Sequence, residues 1–164
     1  MNVPSWFLWG FVATVVLTSL MSGSQGLKLT RMNITYLIGT MHTADRERSK
    51  LIGFGVHFVN GWLFSLVYVA AFHAWHHATW WLGMTIGFFH GAFVLLVAMP
   101  LFPAVHPRMA SEQRGPTVVR QLEPPGFLAL HYGAPTPAIT LVAHLAFGAI
   151  LGAFYTLPGT ARCF

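Results

Sequence analysis

The chain has 164 residues, 55% hydrophobic and only 8% charged, with a formal net charge of +5 and a mean hydropathy of +0.60. A soluble domain carries about a quarter charged residues, so this composition excludes an ordinary soluble fold and indicates one integral membrane domain. The basic excess is too small, and too close to apolar spans, for nucleic-acid binding, and the single cysteine, Cys163, excludes an intramolecular disulfide.

The first apolar span covers 6–21. No Lys or Arg precedes it, so it reads as a retained span rather than a cleaved signal. Trp6 and Trp9 fit an interfacial aromatic anchor, and Gly10, Thr14, Thr18 and Ser22 recur every fourth residue as a small-residue ridge. In the polar stretch 23–50, Ile34, Leu37, Ile38 and Met41 follow helical spacing behind Lys28 and Arg31, which predicts a short amphipathic surface helix. Asn33-Ile34-Thr35 matches the glycosylation sequon, but the topology below puts it on the wrong side. Thr43 is the expected N-cap of the next helix, with Asp45 and Glu47 in its first turn.

Spans two and three, 51–75 and 79–102, are joined by Ala74-Trp75-His76-His77-Ala78, too short for anything but an antiparallel hairpin. The hairpin is expected to be the pair on which the other two spans pack. Gly53, His57 and Gly61 share one face of its first arm, and Gly83, Gly87 and Gly91 form a ridge on the second. Pro100 and Pro103 are expected to kink and end that arm. Residues 103–134 form the largest loop, too rich in specific polar groups to be a plain linker. The fourth span covers 137–157, with His144, Gly148 and Gly152 four apart. The expected fold is an all-α membrane protein: four transmembrane helices and a short amphipathic surface helix between the first two.

Four spans put loops 23–50 and 103–134 on one side. They hold Lys28, Arg31, Arg46, Arg48, Lys50, Arg108, Arg114 and Arg120, eight of the nine basic residues, leaving Arg162 opposite. The positive-inside rule makes both loops cytoplasmic and both termini external.

Every Asp, Glu, Lys and Arg lies outside the spans, which argues against a carboxylate-based pump or carrier. The ionisable groups inside are His57, His90 and His144. At the helical rise they lie about 9, 18 and 13 Å from the cytoplasmic face, with Asn60 at about 13 Å, so the four could form one layer. Such a layer suits a metal ion or b-type haem, because neutral imidazole ligates both. The favoured reading of these histidines is nevertheless cross-helix hydrogen bonding that fixes helix packing, with a proton relay as the third. His73, His76 and His77, at the external end of the hairpin, are a second candidate metal site. The methionines show no Met-x-x-Met pair and read as packing filler. His106, Arg108, Glu112, Arg114 and Arg120 are candidates for docking a lipid phosphate, a nucleotide phosphate or an acidic partner surface.

The run His106-Pro107-Arg108-Met109-Ala110-Ser111-Glu112, with Arg114-Gly115-Pro116 and Gln121-Leu122-Glu123-Pro124-Pro125-Gly126, resembles loops of small four-span bacterial membrane proteins without assigned activity. That resemblance implies a bacterial inner-membrane location and nothing catalytic. The function expected from the whole is a non-catalytic integral subunit. It would sit in the lipid bilayer and pack, through its small-residue ridges, against other membrane proteins or copies of itself. A haem or metal protein using the intramembrane histidines, and a small homo-oligomeric channel or carrier, are the alternatives.

Overall fold

Helix caps and glycine contacts explain the architecture of the computed structural model, which describes residues 1–113 and 115–158. Arg114, Arg162 and Cys163, each singled out above, lie outside the described residues. Among the described residues six α-helices follow in order: α1 (Val3–Gly26), α2 (Ile34–Gly39), α3 (Arg46–Ala74), α4 (Trp80–Phe93), α5 (Met99–Val105) and α6 (Thr136–Phe154), with a 3-10 turn over Phe127–Tyr132. Among the described residues there is no strand, and four helical stretches are long and apolar enough to cross a membrane: Val3–Gly26, Arg46–Ala74, Trp80–Val105 and Thr136–Phe154.

Local chemistry sets the helix ends. The Asn2 side chain accepts from the Ser5 N–H (3.2 Å) and starts α1. Asn33, the sequon residue, accepts from the Tyr36 N–H (2.9 Å) and the Thr35 hydroxyl (2.9 Å) and starts α2. The cap of α3 is Asp45 and not Thr43. The Asp45 carboxylate accepts from the Arg48 N–H at 2.7 Å, while the Thr43 hydroxyl accepts from the Asp45 N–H at 3.2 Å. An ionised acceptor makes the stronger bond to a helix N-terminus, which displaces the boundary by two residues.

Pro100 and Pro103 do not end the third span, which continues to Val105. Between α4 and α5, residues Val94–Ala98 form a π-helical turn in which the Met99 N–H donates to the Val94 carbonyl. Two prolines that cannot donate to the ladder are accommodated by this wider turn upstream.

The packing partners differ from those expected. α4 lies closest to α6, α6 also packs on α1, and α1 on α3, while the backbones of the hairpin arms α3 and α4 stay apart. The reason is glycine pairing. A Cβ added at Gly83 would run into the Gly148 carbonyl, and one at Gly87 into the His144 carbonyl. One at Gly152 would meet the Thr79 carbonyl. The ridge of α4 is therefore spent on α6, not on its hairpin partner. The ridge of α1 is spent on α3, where Gly10 faces Trp62 and Ser65 and Thr14 faces Gly61.

The short helix α2 is clamped to α3 in the same way, through Gly39 against the Ser49 carbonyl and Gly53 against the Thr35 carbonyl. Its apolar stripe faces the interior: Leu37 and Ile38 are buried. At the opposite end, Tyr155 ties three segments together, accepting from the Asn2 N–H (3.1 Å) and lying 2.9 Å from His73 Nε2.

Candidate functional site

The splayed hairpin leaves a cavity of about 290 Å³ between α3 and α4, closed behind by α1 and α6. His57, Asn60 and Phe64 line it from α3, His90 and Phe93 from α4, Thr140, His144 and Phe147 from α6. Leu17 and Met21 close it from α1, while Ile34, Ile38 and Met41, on and just after α2, roof it. His57, His90, His144 and Asn60 all line this one space.

Each histidine has a different hydrogen-bonding state. His144 Nδ1 lies 2.7 Å from the Thr140 carbonyl and donates to it. His90 Nδ1 lies 3.1 Å from the Tyr68 hydroxyl, and its ring stacks on Phe64 at 4.6 Å. His57 Nε2 is buried with no partner, as is the Thr140 hydroxyl. An unpartnered buried polar atom is costly, so each such group asks for an explanation.

The rings of His90 and His144 touch edge to face, with centroids 4.7 Å apart and planes at 81°. That contact leaves no room for a porphyrin between them as paired axial ligands. Among the described residues, no three His, Cys, Asp or Glu side chains are grouped to hold one metal ion. The intramembrane histidines share a cavity without converging on a point. His73, His76 and His77 do not converge either: His73 Nε2 is engaged by Tyr155, and His76 and His77 are exposed.

The cavity is closed at one end. Beyond His90 and His144 the bundle is filled by Tyr68, Phe72, Phe147 and Leu151, all fully buried. The lining residues that reach the surface are Asn60, Phe64 and Phe93, on the two hairpin arms, and His42, just after α2. Three of these four lie on the hairpin arms, so the cavity opens sideways between α3 and α4, and His42 brings its α2 end to the surface as well.

The docking residues expected in loop 103–134 are mostly engaged within the chain. His106 is fully buried. Its Nδ1 accepts from the Arg108 N–H (3.0 Å), so the neutral ring carries its proton on Nε2 and donates to the Leu37 carbonyl (2.9 Å). Arg108 donates to the Thr40 carbonyl (2.6 Å) and Arg120 to the Pro103 carbonyl (3.3 Å). Glu112 is exposed. Burial pushes the pKa of His106 below its usual 6.5; the Leu37 carbonyl works against that shift, and the Arg108 and Arg120 charges reinforce it. Arg31 joins the two polar loops, pairing with Glu123 at 3.0 Å and donating to the His131 carbonyl. Tyr132, whose hydroxyl donates to the Glu123 carbonyl (2.8 Å), has its pKa raised by burial and by the Glu123 charge.

Sequence reasoning missed Tyr68 and Thr140. Both carried a signal: Tyr68 lies 11 residues after His57, about three turns along the same face, and Thr140 lies one turn before His144. The methionines read as filler include Met21, Met32, Met41 and Met99 in the cavity wall. Compared with known proteins, the chain matches no family model, no curated protein and no solved structure.

Proposed function

We propose that this chain is a multi-pass membrane protein that binds a lipid-soluble small molecule in the cavity between its splayed hairpin arms. The observation that carries the reading is a cavity with apolar walls, an opening between the hairpin arms and unpartnered polar atoms on His57 and Thr140. Ligand sites have this make-up, apolar walls with a few placed polar groups. Packing into a larger assembly through small-residue ridges was the reading favoured from sequence. It loses part of its motivation, because Gly10 of α1, the glycines of α4 and those of α6 meet neighbours within the chain, although Gly23 and Gly26 of α1 do not. A pore through one bundle is disfavoured by the plug of Tyr68, Phe72, Phe147 and Leu151.

We also propose a bacterial inner-membrane location with the α2 end cytoplasmic, on the strength of the eight basic residues in the two loops that meet there. The binding reading is tested by mass spectrometry of organic extracts from the purified protein and from Ala98→Phe, which fills the cavity from the π-helical turn. A small molecule near one equivalent in the wild type and absent from the variant supports it. Identical extracts from the two would sink it.

A further inference from the structure

The polar groups of the cavity constrain the chemistry of its occupant. The Thr140 carbonyl can only accept, so His144 Nδ1 carries the proton in the 2.7 Å bond between them. An unpaired imidazolium is too costly in a buried apolar site, so the ring is neutral and Nε2 presents a bare lone pair. That lone pair calls for a hydrogen-bond donor. The Thr140 hydroxyl, on a residue 1% exposed, is unpartnered and can give or take a hydrogen bond. The walls beside these groups are aromatic and thioether: Phe64, Phe147, Met99 and the His90 ring. Aromatic rings pack edge-to-face or offset on such walls, and methionine sulfur adds favourable contacts to ring edges.

We propose that the occupant is a hydroxylated aromatic ring, of phenol or quinol type, whose hydroxyl donates to His144 Nε2. This rests on the binding reading above and names its ligand class. The size fits: a cavity of about 150 Å³ takes up benzene, so 290 Å³ holds a substituted ring. The mouth between α3 and α4 lets an apolar substituent extend toward the lipid.

The test uses two probes of nearly equal volume, 4-pentylphenol and 4-pentyltoluene. Each is titrated calorimetrically into wild-type protein and His144→Phe in nanodiscs of one lipid composition. Partition into the lipid is common to both proteins and cancels in the ratio of affinities. The expected result is a phenol-over-toluene preference at least tenfold larger in the wild type than in His144→Phe. Binding of both probes with an unchanged ratio overturns the ligand class and leaves the binding reading standing. Binding of neither probe to the wild type removes both. Should His144→Phe not fold, ¹⁵N-histidine NMR of the wild type decides. The bare Nε2 resonance of a ring protonated at Nδ1 must shift with phenol and not with toluene, and an unmoved resonance overturns the proposal.

Discussion

His106 shows how much one side chain can hold when both of its nitrogens are used. It joins α2 to the long loop through the Leu37 carbonyl and the Arg108 N–H, and replacing it orphans the half-buried Arg108 N–H, while the Leu37 carbonyl keeps the Thr40 hydroxyl at 2.9 Å. His106→Leu should lower stability in detergent by roughly 1–3 kcal/mol, read from thermal unfolding, since one orphaned group costs about 1–3 kcal/mol. The same bonds set a pH dependence. The folded-state pKa lies below the unfolded 6.5, so the neutral ring's contribution is complete above about pH 6.5. It falls away as pH drops from there toward the folded pKa. The loss of unfolding temperature between pH 7.5 and 5.5 should be smaller in His106→Leu than in wild type, and equal losses would refute the assignment. Arg31 and Glu123 form an exposed pair, which is worth at most about 1 kcal/mol. Glu123→Gln should therefore be close to neutral. Arg31→Ala should cost more in the same assay, because Arg31 also holds the His131 carbonyl.

At the scale of elements, glycine decides which helices meet. Backbones approach closely only where no Cβ intervenes, and van der Waals packing is the main attraction between helices in lipid. Gly83→Ala, facing the Gly148 carbonyl, should force α4 off α6 and cost about 1–3 kcal/mol, as overpacking does. Gly23→Ala is the control. Nothing lies within 4 Å of its added Cβ, and alanine in a helix gains about 0.5–1 kcal/mol over glycine. Opposite shifts in unfolding temperature are expected, and a shared sign would refute the packing argument. The π-helical turn Val94–Ala98 belongs to this scale too: prolines 100 and 103 displace the ladder upstream, and the widened turn sets Val94 and Ala98 into the cavity wall.

For the whole molecule, the cavity exists because α4 prefers α6 to its neighbour in sequence. Space kept open inside a bundle forgoes packing, so filling it should stabilise the protein while abolishing binding. Ala98→Phe should raise the unfolding temperature and lose the extracted small molecule together. A rise without loss of ligand would place the binding site elsewhere. Orientation is testable through Val118, 92% exposed on the long loop. In a Cys163→Ser background, Val118→Cys should resist a membrane-impermeant maleimide in intact spheroplasts and react after permeabilisation. Labelling of intact spheroplasts would reverse the topology.

The four spans, their approximate bounds, the basic end and the depth-matched histidines were legible in the sequence. Each depends on properties of a single segment: hydropathy over about 20 residues, helical rise, and charge beside a span. The α2 stripe was legible as well, though not the fact that it roofs a cavity. Helix pairing was not legible, because small-residue ridges occur on α1, α3, α4 and α6 alike, and periodicity says which face is smooth without saying which neighbour it meets. Hydrogen-bond direction was equally hidden. That His144 spends Nδ1 on Thr140, and that His106 spends both nitrogens inside the chain, depends on where carbonyls and N–H groups converge in space. Segment chemistry determined a four-span membrane protein with histidines at matching depths. Only the tertiary structure decided that the hairpin opens, because the glycines of α4 pack on α6 while Gly53 and Gly61 of α3 pack on α2 and α1.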